Sequence, residues 1–238
     1  MRKIILGLLL ITSSLLASDI KSIYATFDVE AVKNANLAFN SAGIVKEVLV
    51  DISSEVKKGD TIALLKNDDI KARVQIAKIA LKYAKKDYER QLKVKNMIDK
   101  AKFDSYAFKY ENTKANLTYQ QALLNKTYLK APFDGVIYKK IVEVGDVVTN
   151  MNPRTIFKIQ SKTKRKLVLE FDQKYSNKVK IGDIFKFRID GNIKEYKTKI
   201  LKIYPYANSN NRKIKAESYV DGFMTGLFGD GYILTQGK

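Results

Sequence analysis

Residues 68–128 read DDIKARVQIAKIALKYAKKDYERQLKVKNMIDKAKFDSYAFKYENTKANLTYQQALLNKTY, and this stretch decides how the whole chain is understood. No proline or glycine interrupts it. Apolar or small residues fall at Ile70, Val74, Ala77, Leu81, Ala84, Tyr88 and Leu92, stepping alternately by four and three as far as Tyr88 and by four again to Leu92. That is an a/d heptad stripe, the narrow seam of a coiled coil rather than the wider face of a globular helix. Phe103, Tyr106, Tyr110, Thr113, Leu117, Gln120 and Leu124 repeat the pattern. Between the two runs, Ile98-Asp99-Lys100-Ala101-Lys102 breaks the seam and offers Asp99 as a cap for the second helix. The pattern predicts an α-helical coiled-coil hairpin over residues 68–128. At 1.5 Å per residue, an arm of about 30 residues reaches roughly 45 Å. A coiled coil that packs only on itself is the competing reading, and the flanks decide between them.

On the N-terminal side, residues 20–39 alternate like a strand through Ile23, Ala25, Phe27, Val29 and Ala31. Gly43 then reads as a turn before the strand Ile44 to Val50, and Gly59 as a turn before Thr61 to Leu65. Asn67, Asp68 and Asp69 close this segment and are expected to cap the first helix, with the acids at the positive end of its dipole. On the C-terminal side, Pro132 ends the helical run and Gly135 opens a new strand, with Gly145 in a further turn. An internal repeat emerges. Gly43-Ile44-Val45 lies 92 residues before Gly135-Val136-Ile137, and Val50 and Val56 lie 92 before Val142 and Val148. A half-unit of this size cannot bury its own apolar face, so the copies should pair into one small sandwich with the hairpin inserted between them. Residues 19–67 and 129–161 are assigned to that sandwich, including an N-terminal strand. Residues 162–238 carry short alternating strands with turns at Gly182-Asp183, Gly191-Asn192 and Gly226, the pattern of a small antiparallel barrel.

Composition narrows the function classes. The chain has 238 residues, no Cys, no His and no Trp. Thiolate sites, disulfides and the commonest general base are therefore excluded. The net charge of +19 comes mostly from Lys scattered among acids, without a basic block. A solvated lysine-rich surface explains it better than a nucleic-acid groove, and it also suits anionic lipid headgroups. Met1-Arg2-Lys3, the apolar run Ile4 to Leu16 and the small residues Ala17-Ser18 form a secretory signal peptide over residues 1–18. The run is too short for an ordinary spanning helix, and both cleavage and retention as an anchor stay open. No Cys follows it, so a lipobox anchor is excluded.

With these pieces in order, the chain resembles the periplasmic adaptor, or membrane fusion protein, family of bacterial efflux systems (HlyD-like). The resemblance rests on Ser41-Ala42-Gly43 with Lys58-Gly59-Asp60 and Leu64-Leu65. It rests equally on Leu129-Lys130-Ala131-Pro132-Phe133-Asp134-Gly135-Val136 with Val144-Gly145-Asp146-Val147-Val148. Downstream, Leu167 to Phe171, Lys180-Ile181-Gly182-Asp183, Ile203-Tyr204-Pro205, Asn211-Arg212 and Gly226-Leu227-Phe228 fall in the family's order. The resemblance implies a mixed α and β, elongated, multi-domain fold. Its parts are a lipoyl-like β-sandwich (a barrel-sandwich hybrid) interrupted by a helical hairpin, then a small antiparallel β-barrel. Gly43, Gly59, Gly135 and Gly145 would be the structural turns of the lipoyl-like halves.

The same resemblance implies a non-enzymatic role without cofactors. A ring of self-associated adaptors would bridge an inner-membrane efflux transporter, of RND type or alternatively an ABC-type exporter, to an outer-membrane channel protein. The protein would be periplasmic and peripheral to the inner membrane, with a lysine-rich surface suited to an anionic membrane and with no nucleic-acid partner. The family's tip motif carries an Arg, a Leu and a Ser. Aligned here, Leu92 takes the Leu position, Asp99 the Ser position and Tyr88 the Arg position, with Arg90 nearby. Leu92, Ile98, Asp99 and Lys100 are thus the expected channel-docking tip. Lys238 lies just beyond the barrel region, where many family members continue into a membrane-proximal domain.

Blander readings account for the remaining features. A lipoyl swinging arm would need an exposed lysine hairpin where this chain has helices. Met1, Met97, Met151 and Met224 are too dispersed for a soft-metal site. Tyr106 and Tyr110 belong to the seam rather than to a base-stacking surface, and the glycines lack the strand–loop–helix context of a phosphate cradle.

Overall fold

The computed structural model describes residues 20–151 and 154–236. The expected signal peptide, residues 1–18, lies outside the described residues. In chain order the strands begin with β1 Ile20–Ala31, β2 Asn34–Leu37, β3 Gly43–Val48, β4 Glu55–Val56 and β5 Thr61–Leu65. Helices α1 Asp68–Lys93 and α2 Lys100–Lys126 follow. Then come β6 Tyr128–Lys130, β7 Gly135–Lys140, β8 Val147–Val148, β9 Phe157–Gln160, β10 Lys164–Asp172, β11 Ile184–Ile189, β12 Tyr196–Lys199, β13 Lys202–Ala207, β14 Lys213–Asp221 and β15 Phe228–Gln236. The chain divides into two compact units, residues 31–162 and residues 20–30 with 163–236.

Within residues 31–162, two four-stranded sheets run β2-β9-β7-β4 and β6-β5-β3-β8. Each sheet takes an edge strand from the other repeat copy. Glu55 and Val56 pair with Val136 and Gly135, and Val147 and Val148 pair with Ile44 and Gly43. These two sets of pairs are the same set shifted by 92 residues. The turns obey the same reciprocity. The Ser53 N–H donates to the Ile137 carbonyl at 2.7 Å, and its counterpart Gly145 N–H donates to the Val45 carbonyl at 2.9 Å. Likewise the Ile137 N–H reaches the Ser54 carbonyl at 3.0 Å, and the Val45 N–H reaches the Asp146 carbonyl at 2.8 Å. Exchange of edge strands satisfies backbone groups that either half alone would leave open. Val45, Ile62, Leu65, Ile137, Phe157 and Ile159 form the centre of one shared core.

The four glycines expected to mark turns divide into two kinds. Gly59 and Gly145 stand in turns at φ +93° and +98°, a region open to glycine at little cost. Gly43 and Gly135 instead open strands β3 and β7. A Cβ on Gly135 would lie 2.4 Å from the Gln160 carbonyl oxygen, so the close passage of β9 excludes a side chain there. The repeat counterpart of Gly145 is not Gly59 but Ser53, which holds φ 71° without being glycine.

In the other unit, seven strands form one sheet in the order β12-β11-β15-β1-β10-β14-β13. Its β1 corrects the assignment of the N-terminal strand to the sandwich: residues 20–30 belong to this unit. β1 pairs antiparallel with β15, Ile23 opposite Ile233 and Phe27 opposite Gly229. The alternation that marks it as a strand also explains its place. Ile23, Ala25, Phe27 and Val29 are buried in a cluster with Leu167, Leu169, Phe185 and Phe187. The Phe27 ring meets Phe185 and Phe187 edge-on at 5.7 and 5.1 Å between centroids. At the sheet's other side, Thr198 Oγ1 on β12 donates to the Tyr219 carbonyl at 3.0 Å. The Leu201 N–H just beyond donates to the Glu217 carbonyl at 2.8 Å, so the β12 edge returns to β14.

Candidate docking hairpin

The hairpin begins where the sandwich ends, and its two ends are tied together. Asn67 precedes α1 but makes no side-chain cap, contrary to expectation. Its Nδ2 donates instead to Thr127 Oγ1 at 2.8 Å, across 60 residues of chain. Thr127 Oγ1 in turn donates to the Leu124 carbonyl at 2.7 Å, the end of α2. The Leu65 N–H donates to the Thr127 carbonyl at 3.0 Å and the Lys66 N–H to Ile44 at 2.8 Å. Both Asn67 and Thr127 are buried. Asp68 and Asp69 occupy the first turn of α1, favourable against the helix dipole, and Asp68 also reaches Lys46 at 3.4 Å.

Along the arm, α1 and α2 pack side by side. Val74, Ala77 and Ala84 are buried on α1. On α2, Tyr106, Tyr110, Thr113, Leu117, Gln120 and Leu124 are all half-buried, the residues of the heptad stripe. Small residues on α1 facing larger ones on α2 let the helices approach. Near the far end the seam becomes aromatic. Tyr88 stacks on Tyr110 at 5.2 Å and 7°, and also meets Phe103 at 5.7 Å. A second set of apolar residues, Ile76, Ile79, Tyr83, Phe108 and Tyr119, stays exposed.

At the tip, α1 ends at Lys93 and a short 3₁₀ turn covers Lys95–Met97. Asp99 caps α2, its Oδ1 accepting the Lys102 N–H at 3.1 Å. Leu92, expected on the seam, is 48% exposed, with Val94 at 38% and Met97 at 88%. The stripe outlasts the contact because the helices separate to make the turn. Ile98 is half-buried, and Asp99 and Lys100 are exposed. The four expected tip residues therefore lie together at one end. Sequence reading missed Val94 and Met97, since a lone exposed apolar residue leaves no periodic mark.

In the seven-stranded unit lies the most enclosed ionic cluster. Glu217 is buried on β14, accepts a hydrogen bond from the Tyr204 hydroxyl at 2.8 Å, and faces Lys166 at 3.6 Å and Lys202 at 3.4 Å. Burial alone would raise its pKa, but the Tyr204 hydrogen bond and the two ammonium groups outweigh it and leave the carboxyl below its ordinary value. Lys166 is desolvated, yet its hydrogen bond and charge contact with Glu30 hold its pKa above normal. Every charge is partnered, which marks the cluster as structural rather than reactive. Among the described residues no group of three or more carboxylates could hold a metal ion, and no helix is long and apolar enough to cross a membrane.

Comparison with known proteins agrees with this architecture. The family model for the CzcB-like, barrel-sandwich hybrid domain matches residues 33–160. An uncharacterised protein of Haemophilus influenzae is 24% identical over 192 residues, which cover 79% of this chain and 50% of that protein. The cobalt-zinc-cadmium resistance protein CzcB of Cupriavidus metallidurans is 25% identical over 147 residues, covering 54% of this chain and 28% of that one. The chain thus spans half or less of the length of these relatives. In fold it is similar to a MacA–MexA chimera carrying the Pseudomonas aeruginosa MexA α-hairpin domain, with a TM-score of 0.84 at 22% identity over 92% of this chain and 83% of that one.

Proposed function

The chain belongs to the CzcB-like barrel-sandwich hybrid family of periplasmic adaptors, and from that premise we propose that it is the adaptor subunit of a tripartite efflux assembly. In this reading it makes and breaks no bonds. It links an inner-membrane transporter, RND-type by preference, to an outer-membrane channel, with an ABC-type exporter as the alternative partner. The observation that carries the reading is the hairpin held between two interlocked repeat copies, its ends tied by Asn67 and Thr127. A helical arm fastened in this way can transmit force from a β-module to a distant tip. The narrow seam supports a coiled-coil arm, and the return of the β12 edge toward β14 supports a small barrel. The exposed set Ile76, Ile79, Tyr83, Phe108 and Tyr119 supports side-by-side packing of hairpins from neighbouring copies in a ring. The tip residues Leu92, Ile98, Asp99 and Lys100 would meet the channel.

The chain has neither His nor Cys, so in this reading choice of the exported substrate falls to the transporter. The test is a crosslinked pull-down from the cell envelope with a photoreactive residue at position 98. Recovery of an outer-membrane channel together with an inner-membrane transporter supports the adaptor role and identifies the transporter class. Recovery of neither, with the protein folded and exported, leaves a periplasmic coiled-coil scaffold.

A further inference from the structure

The tip carries a charge that the fold itself does not need. The stretch from Arg90 to Asp104 holds five basic residues, Arg90, Lys93, Lys95, Lys100 and Lys102, and two acids, Asp99 and Asp104. Arg90 is paired with Asp87, and Asp99 is engaged in capping α2. Lys93, Lys95, Lys100 and Lys102 are all exposed, and none has a carboxylate partner among the described residues. On α1, Arg90 and Lys93 stand in the last turn, where cations suit the negative end of the helix dipole. On α2 the arrangement is reversed. Lys100 and Lys102 occupy the first turn, which contains no acid. There the dipole is positive, and a capping-box acid would ordinarily stand where Lys102 is. Placing cations at that end opposes local helix electrostatics, so the isolated hairpin gains nothing from them.

Two further features make the tip a surface rather than a frayed end. The side chains of Leu92, Val94 and Met97 stand exposed together with these lysines. Beneath them, Lys95 lies over the Phe103 ring at 5.0 Å, and Phe103 and Tyr110 both pack on Tyr88. An apolar crown with a cationic rim, held on a stacked aromatic base, is a preorganised docking surface.

Resting on the adaptor reading, we propose that the hairpin tip docks on a folded protein end that presents carboxylates around an apolar seat for Met97. Complementary charge would guide the encounter and fix its register, while Leu92, Val94 and Met97 supply the buried contact. A lipid surface would attract the same lysines but has no use for a rigid, capped and aromatic-stacked turn, so a protein partner is favoured.

The experiment uses the full chain with the photoreactive residue at position 98, in cell envelopes prepared at low and high NaCl. The K100E/K102E variant is compared with K100R/K102R, and helical content of each is checked by circular dichroism. We expect the yield of crosslink to an outer-membrane channel to fall about tenfold on charge reversal, and to be kept by the arginine pair, as two partly exposed ion pairs would dictate. High salt should weaken the wild type in the same direction, and the crosslinked channel segment should contain Asp or Glu. An undiminished yield in K100E/K102E overturns the electrostatic proposal and leaves the docking reading standing. No crosslink to an outer-membrane channel in the wild type removes the docking reading and this inference with it. Charge-dependent sedimentation with phosphatidylglycerol vesicles, without such a crosslink, assigns the tip to the membrane instead.

Discussion

Asn67 and Thr127 share a buried hydrogen bond of 2.8 Å although 60 residues of helical hairpin separate them in sequence. The bond lies where the arm leaves the sandwich, so the two helices start from one fixed point. A buried amide left without its acceptor costs its full desolvation. Thr127→Val keeps the shape and removes the acceptor. It should lower unfolding free energy by about 1–3 kcal/mol. In a double-mutant cycle with Asn67→Ala, denaturant unfolding should return a coupling of about 1 kcal/mol. Additive single effects would mean the contact does not tie the base.

The repeat predicts opposite signs at equivalent positions. Ser53 and Gly145 both hold positive φ, at 71° and 98°, and both donate to the partner copy. Gly145→Ala should destabilise by about 1 kcal/mol, because the left-handed region crowds a Cβ. Ser53→Gly should be stabilising by about 0.5 kcal/mol, the relieved strain being partly offset by the freer unfolded chain. Thermal unfolding of both variants checks the pair of signs.

Gly43 and Gly135 are repeat counterparts with different tolerances. A Cβ at Gly43 meets the Leu65 Cδ1 at 3.2 Å, the end of a movable side chain, whereas at Gly135 it meets the Gln160 backbone at 2.4 Å. Gly43→Ala should cost about 1 kcal/mol or less, and Gly135→Ala about 3 kcal/mol by forcing β7 from β9. Equal costs in urea unfolding would show that β9 yields as easily as a side chain.

Glu217 should make the protein acid-sensitive. Its folded pKa lies below the ordinary glutamate value, so its contribution is present above the unfolded pKa. That contribution is lost as pH falls through the folded pKa. Lys166, held above its ordinary value, acts at the other end. Its contribution is complete below the unfolded lysine pKa and is lost as pH rises through the folded one. Unfolding free energy measured from pH 7 downward should fall less steeply in Glu217→Gln than in the wild type. Parallel curves would assign the acid limb to other carboxylates.

Leu92→Asp and Ile98→Asp should abolish efflux-dependent resistance in cells that rely on this protein. Leu92 is 48% exposed, and a surface change of this kind costs about 0.5 kcal/mol or less. Circular dichroism of Leu92→Asp should therefore remain unchanged, and that of Ile98→Asp, at a half-buried position, is the control read before its loss of resistance is assigned to docking. Full resistance in both variants would move the docking site away from the tip.

The heptad stripe, the breaker at residues 98–102, the Asp99 cap and the 92-residue repeat are all legible in the sequence. Each is a local or periodic pattern, and the period of an apolar series follows from the geometry of one helix or strand. Periodicity fixes which face of an element is buried. It does not say against what. β1 illustrates the difference: the alternation of Ile23, Ala25, Phe27 and Val29 marks a strand, but only packing against Phe185 and Phe187 decides that it leaves the sandwich for the seven-stranded sheet. Asn67 is a good capping residue by type, yet its Oδ1 accepts no N–H from the helix, and only burial beside Thr127 shows that its Nδ2 ties the two ends of the hairpin. The 92-residue offset sets Ser53 against Gly145, but nothing in a serine announces a positive φ, which only the backbone of the turn reveals. The tip residues were partly legible from the family's motif, while Val94 and Met97 became visible only once the helices were seen to part. What the sequence determined alone was therefore the kind and order of the elements, set by local stereochemistry and periodic burial. What the tertiary structure decided was their partners, since those depend on which surfaces close over one another across distant parts of the chain.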